Sequence, residues 1–160
     1  MSDGAVAAAL VAAVGCGLVG GVFFAFSGFV MPALARLAPA QGVAVMQSIN
    51  RTAVRAPLMV LMFGTAAVCV GLLVWAVRSW GDAPAAWTLA GAVVYLVGTV
   101  LVTMAGNVPL NNALDRLDPA GAEAAPVWAR YLRVWTGWNH VRTVAGAAAA
   151  AALILAIHLA

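Results

Sequence analysis

The sequence predicts an all-α integral membrane protein, a bundle of four transmembrane helices forming one domain over residues 1–160. Hydrophobic residues make up 65% of the 160-residue chain, and its mean hydropathy is +1.02. Charged residues make up only 8%, against about 25% in soluble domains. A chain this poor in polar side chains lacks the means to cover a water-exposed surface, which excludes the soluble globular class.

Four apolar segments have the roughly 20 residues that a helix needs to cross a hydrocarbon core of about 30 Å. We predict spans at residues 5–29, 57–77, 86–105 and 141–159. The first should end before Met31-Pro32, and the second begins at Pro57, where a missing N–H costs nothing. The apolar run that starts at Ala5 lacks a basic leader and is too long for a signal peptide, so we interpret it as a retained span.

The connections between the spans differ in length and in charge. Residues 31–56 and 106–140 form long connections on one side, and residues 78–85 form a short turn on the other. Seven arginines lie on the long-connection side and only Arg78 lies opposite. Because cytoplasmic loops carry the excess of basic residues, we expect both termini outside, in a bacterial inner membrane. The scattered arginines form no basic stripe, which excludes nucleic acid as a partner.

Both long connections have helical character. Apolar residues between Gly42 and Arg55 recur on one helical face, which predicts a short interfacial helix or an inner extension of the second span. Residues 122–143 predict a second helix that continues into the fourth span, after a turn at Asp118-Pro119.

The first span contains a GxxxG pattern at Gly17 and Gly21. Small residues at this spacing let two helices approach closely. Two interpretations remain open: packing inside the bundle, and a homodimer through this face.

Polar residues cluster at the cytoplasmic ends of the spans, where they are costly and therefore suggest a site. The clusters are Gln47-Ser48-Ile49-Asn50-Arg51, Asn107-Val-Pro-Leu-Asn111-Asn112 and Trp135-Thr-Gly-Trp138-Asn139-His140-Val-Arg142-Thr143. Simpler readings stay open: an interfacial belt for the tryptophans, and helix capping for the asparagines.

Helical geometry divides the last cluster. At about 100° per residue, Trp135, Trp138, Asn139 and Arg142 share a face, while His140 points roughly 100° away from Asn139. We expect this face to meet Asn50, Arg51, Asn107 and Asn111 in one pocket.

Metal chemistry has little support in the sequence. The chain has two histidines, no carboxylate inside its apolar spans, and two cysteines without metal-ligand spacing. We therefore predict no metal site. A haem held by His140 or a quinone remains an alternative.

The motifs resemble those of the anthrone oxygenase-like family, also called the DUF1772 family, of small four-helix membrane proteins. The matching stretches are FFAFSGFVMPAL, MQSINR, NVPLNN and WTGWNHVRT, which together extend over nearly the whole chain. The resemblance implies oxidation of a lipophilic polycyclic anthrone by O₂ without a metal or organic cofactor.

Such a step needs a base, donors for an oxyanion, and apolar aromatic walls. We therefore predict catalytic roles for Asn139, Arg142 and His140, the last as the candidate base. Trp135, Trp138, Asn107, Asn111, Asn50 and Arg51 are predicted to bind the substrate. The alternative function is a non-catalytic membrane subunit that holds a lipophilic ligand or a partner protein.

Overall fold

A computed structural model of the protein describes residues 1–55 and 57–160. These residues form five helices and no strand, which confirms the all-α prediction. The helices are α1 (Asp3–Leu34), α2 (Pro39–Ala53), α3 (Pro57–Arg78), α4 (Ala83–Asp115) and α5 (Ala124–His158).

Four of these helices, α1, α3, α4 and α5, are long and apolar enough to cross a membrane. The chain is therefore an integral membrane protein with a four-helix bundle. The shorter α2 confirms the helix predicted in the first long connection, as an element of its own. It packs at the end of the bundle where α4 ends, because Gln47 Nε2 donates to the carbonyls of Leu114 and Leu117, both at 2.9 Å.

Three helices extend beyond the predicted spans at this end. The first does not end before Met31-Pro32 but continues to Leu34, after a π-helical segment at Phe26–Val30. The wider π turn takes up one extra residue just before Pro32, whose ring nitrogen has no hydrogen to donate. α5 runs unbroken for 35 residues from Ala124, so the predicted loop helix and fourth span are one element.

The Asn107–Asn112 motif is helical rather than a closing turn. α4 passes through two π-helical segments, Leu96–Leu101 and Thr103–Asn107, and then resumes as an α-helix with Pro109 in its first turn. Proline is tolerated there because the first N–H groups of a helical turn need no partner inside it. The motif thereby stays on the bundle wall.

The helices α1 and α5 approach each other closely at two glycines. A Cβ added to Gly146 would lie 2.8 Å from Gly20 Cα and 3.1 Å from Cys16 O. Only glycine allows backbones this near, as small residues do in membrane bundles. Cys16 and Cys69 are buried thiols in the core of the bundle.

The predicted GxxxG pair does not pack inside the bundle. A Cβ added to Gly17 or Gly21 would meet nothing within 4 Å. Both glycines are exposed on the outer face of α1. Internal packing is therefore wrong for this pair, and Gly20 with Gly146 makes the internal contact instead.

Candidate functional site

Arg142 lies inside the bundle, although arginine is among the residues least often buried. Its side chain is 4% exposed, and Cζ sits 4.0 Å from the centre of the Phe23 ring and 5.2 Å from that of Trp135. Aromatic faces attract a cation, by about 2 kcal/mol when both are desolvated. These contacts hold the guanidinium in an apolar wall.

Asn139 holds Arg142 in place from behind. Its Oδ1 accepts from Arg142 Nη2 at 2.6 Å, while its Nδ2 donates to Phe23 O at 2.6 Å and to Ser27 Oγ at 2.5 Å. The amide is 0% exposed and spans the gap between α5 and α1, where the π segment of α1 begins. Asn139 is therefore positioned to orient the guanidinium, and its own donors are already engaged.

The remaining guanidinium hydrogens are incompletely used. Arg142 Nη1 lies 3.3 Å from Thr103 Oγ1, and Nε is buried without a partner in the described part of the chain. The acidic residues of the chain all lie exposed near helix ends: Asp3, Asp82, Asp115, Asp118 and Glu123. Over residues 1–55 and 57–160 the one salt bridge joins Arg51 to Asp115, so Arg142 has no counter-ion there. A buried ion without a counter-charge costs several kcal/mol.

Arg142 borders a cavity of about 220 Å³ to which all five helices contribute. Its walls are mostly aliphatic, aromatic and thioether side chains. The lining residues are Val22, Phe23, Phe26, Met46, Ile49, Asn50, Ala53, Val54, Leu58, Met59, Met62, Phe63, Thr103, Met104, Val108, Asn111, Trp135 and Arg142. An apolar cavity with a few polar groups on its wall is typical of a small-molecule site.

A hydrogen-bond network closes one wall of the cavity. Asn111 Oδ1 accepts from Tyr131 Oη and from Trp135 Nε1, both at 2.8 Å. Asn50 Nδ2 donates to Tyr131 Oη at 3.5 Å. The rings of Tyr131 and Trp135 stack with centroids 6.0 Å apart, and Trp128 stacks on the other side of Tyr131. The structure thus brings Asn50 and Asn111 to the cavity with Trp135 and Arg142.

Asn107 and Arg51 lie near the cavity without lining it. Asn107 is 0% exposed and donates from Nδ2 to Trp135 O at 3.2 Å, while its Oδ1 has no partner in the described residues. Arg51 Nε pairs with Asp115 Oδ1 at 2.8 Å in an exposed polar hollow that shares Asn50 and Asn111 with the cavity. The expected single pocket is therefore an apolar cavity with a polar mouth.

The structure does not place Trp138 and His140 at the cavity. Trp138 is 42% exposed and lies beside Gly106 on the outside of the bundle. At about 100° per residue, Trp138 lies about 60° around the helix from Trp135. Asn139 and Arg142 lie closer to Trp135, so they face inward while Trp138 lies at the edge of the inward face. His140 is exposed, at about 140° from Trp135. α5 is continuous through Gly137, so nothing turns the imidazole inward.

Sequence reasoning missed four residues at the site. Ser27 and Thr103 bond to Asn139 and Arg142, Phe23 faces the guanidinium, and Tyr131 links Asn50 to Asn111. Two signals were available in the sequence. Ser27 is a lone hydroxyl in an apolar run, and Tyr131 lies four residues before Trp135, on the same helical face.

Two residues that line the cavity, one on α3 and one on α4, are also partly exposed on the outer surface of the bundle. The lining residues Phe63 and Met104 are 47% and 51% exposed. Both belong to membrane-spanning helices and carry no polar group. Apolar side chains exposed at these positions suit contact with lipid rather than with water.

No three residues among His, Cys, Asp and Glu come together to form a metal site in residues 1–55 and 57–160. That the reaction needs no metal or organic cofactor remains a prediction from the resemblance.

Comparison with known families gives a match over the second part of the chain. A family model described as anthrone oxygenase matches residues 56–152, from the start of α3 into α5. No curated protein and no solved structure matches the chain. The match covers more than half of the chain and includes Asn107, Asn111, Trp135, Asn139 and Arg142. The chain therefore belongs to the anthrone oxygenase family, as the sequence motifs predicted.

Proposed function

We propose that this protein is a membrane oxygenase that oxidises a lipophilic, flat aromatic substrate of the anthrone type with O₂. The observation that carries the proposal is the cavity of about 220 Å³, apolar and walled by Phe23, Phe26 and Trp135, in a member of this family. Aromatic walls favour a flat apolar molecule, because rings stack on or edge against one another.

The proposed reaction balances without a further reductant. Anthrone loses a proton from its methylene carbon to give an enolate, which transfers electrons to O₂. One oxygen atom forms the new carbonyl of the anthraquinone and the other leaves as water. The hydrogens of this water come from the oxidised methylene, so equimolar O₂ and anthrone give equimolar quinone and water.

Arg142 is the residue best placed to assist this step. Its guanidinium borders the cavity and is oriented by Asn139. An enolate oxygen that meets it would receive a charge-assisted hydrogen bond in surroundings with little water. Such an oxyanion donor is typically worth about 2.7–4 kcal/mol in the transition state. Asn139 contributes indirectly, as a positioning residue.

A specific observation favours the second candidate function, a non-catalytic subunit that holds a lipophilic ligand. None of the described residues that line the cavity carries a carboxylate or an imidazole. A catalytic base is therefore not evident among them, and binding alone would need none.

Turnover by the purified protein separates the two functions. O₂ consumption and quinone formation are measured in nanodiscs with anthrone, and empty nanodiscs give the rate of autoxidation. We expect a protein-dependent rate well above this blank. Binding of anthrone with no rate above the blank would favour the non-catalytic function.

For orientation, we propose that the end holding the cavity faces the cytoplasm, with both termini outside the bacterial inner membrane. The burial of Arg142 removes it from the basic count, because it sits inside the bundle and not in a loop. Arg36, Arg51, Arg55, Arg116, Arg130 and Arg133 remain on this side, against Arg78 on the other. The asymmetry still supports this orientation.

A further inference from the structure

We propose that Arg142 makes the cavity a receptor for the anionic form of its ligand, a flat aromatic molecule that bears an oxyanion. The inference deepens the proposed function and rests on it for the aromatic ligand class. It starts from the buried guanidinium, which has neutral partners only over the described residues: Asn139, Thr103 and two aromatic rings.

In the part of the chain that the structure describes, no negatively charged side chain lies inside the bundle beside Arg142. Every Asp and Glu side chain of the protein is exposed. The structure nevertheless fixes the guanidinium firmly, with Asn139 tied to two groups of α1 behind it. A cation that is buried, held in place and without a counter-ion is stabilised when an anion binds beside it.

The cavity determines what kind of anion fits. A small hydrated ion would have to give up its water on entering, and the mostly hydrocarbon walls would not replace the lost hydrogen bonds. An anion on a flat aromatic body avoids this loss, because its apolar part meets the walls and its oxygen meets Arg142. An enolate, a phenolate and an aromatic carboxylate share this chemistry.

The same arrangement accounts for a site without a base in the lining. If the cavity binds the enolate in preference to the neutral anthrone, the proton leaves to bulk buffer and the guanidinium replaces it as the compensating charge. The enolate is then the form that meets O₂. In this mechanism Arg142 favours formation of the enolate, and no side chain in the cavity has to accept the proton.

The experiment uses anthrone under argon, where no oxidation takes place. The visible absorption of its enolate is recorded with wild-type protein in nanodiscs, at a pH at which anthrone in buffer is mainly neutral. We expect wild type to raise the ionised fraction at least tenfold. Arg142→Met should abolish the rise, and Arg133→Met, which removes an exposed arginine from the same helix, should preserve it.

A second measurement needs no variant and therefore does not depend on folding of Arg142→Met. Wild-type protein is titrated with anthracene-9-carboxylate and with anthracene-9-methanol, which share the ring system and differ in charge. At least tenfold tighter binding of the carboxylate supports the inference. Preference for the carboxylate without an enolate signal also supports the anion site. The oxyanion of the natural ligand would then belong to an acidic substituent and not to an enolate.

Equal affinity for the two anthracenes together with no enolate signal would overturn the inference. Admission of air then tests the proposed function separately. An enolate signal without subsequent O₂ consumption leaves the anion site standing and removes the oxygenase. Consumption of O₂ without an enolate signal or a carboxylate preference supports the oxygenase and removes the anion site.

Discussion

At the scale of single residues, the site depends on Asn139 as much as on Arg142. One amide satisfies Phe23 O, Ser27 Oγ and Arg142 Nη2 at once. Each buried polar group left without a partner costs about 1–3 kcal/mol. Loss of this side chain should therefore affect both stability and the orientation of the guanidinium.

We expect Asn139→Ala to lower the thermal midpoint in detergent and to reduce anthrone turnover by roughly a hundredfold, because Arg142 loses its anchor. His140→Ala should change neither, since the imidazole lies outside the bundle. Thermal unfolding and O₂ consumption are measured on both variants. Loss of activity in His140→Ala alone would contradict this assignment.

The sequence predicted part of the residue-scale picture. Helical periodicity placed Asn139 and Arg142 on the inward face with Trp135, and the structure agrees. Periodicity fixes only an angle about one helix axis. It does not show that Asn139 reaches α1 and not the cavity, because that depends on how α1 and α5 pack.

At the scale of helices, the contact between Gly20 and Gly146 sets the separation of α1 and α5. Arg142 lies one turn before Gly146 and Phe23 lies nearly one turn after Gly20, so the same contact governs the distance between guanidinium and ring. The packing of α1 against α5 therefore positions Arg142 and Phe23 relative to each other.

Gly146→Ala should destabilise the protein by about 1–3 kcal/mol, as overpacking typically does, because the new methyl group meets backbone atoms of α1. Gly137→Ala is the matched control on the same helix, where an added Cβ meets nothing within 4 Å. Thermal midpoints of both variants check this. Equal thermal midpoints for Gly146→Ala and Gly137→Ala would show that α1 and α5 can move apart without loss of stability.

The π-helical segments could not be predicted from the sequence. Pro32 suggested the end of the first helix, because proline removes an N–H, and the third span was predicted to end at residue 105, before Pro109. Both helices continue, since a π turn precedes each proline and shifts the hydrogen-bond register. The decision between a break and a π turn depends on tertiary contacts such as that of Asn139 with Phe23.

At the scale of the whole molecule, composition alone indicated the fold class. Long apolar runs have few stable forms in a bilayer, because every backbone group needs a partner within its own segment. That constraint explains why the four spans were predictable while side-chain contacts were not.

The proposed orientation predicts that reporter domains fused at Ala160 report the outside and that those inserted near Gly121 report the cytoplasm. The reason is the excess of arginines in and beside the long connections. A phosphatase and a fluorescent protein serve as paired reporters at each position. Cytoplasmic readout at Ala160 would reverse the orientation.

A homodimer through Gly17 and Gly21 remains a prediction. Both glycines are open on the outer face of α1, where a second copy could approach. Gly21→Ile should then convert dimer to monomer in light scattering after detergent gel filtration. A monomeric wild type would remove this prediction.

The central claim is that the cavity beside Arg142 oxidises a flat aromatic substrate. The most direct test is quinone formation from anthrone in air by wild type and Arg142→Met, with Arg133→Met as the control. We predict protein-dependent turnover in wild type and in the control, and a loss of about a hundredfold or more in Arg142→Met. Undiminished turnover in Arg142→Met, or none above autoxidation in wild type, would contradict the account.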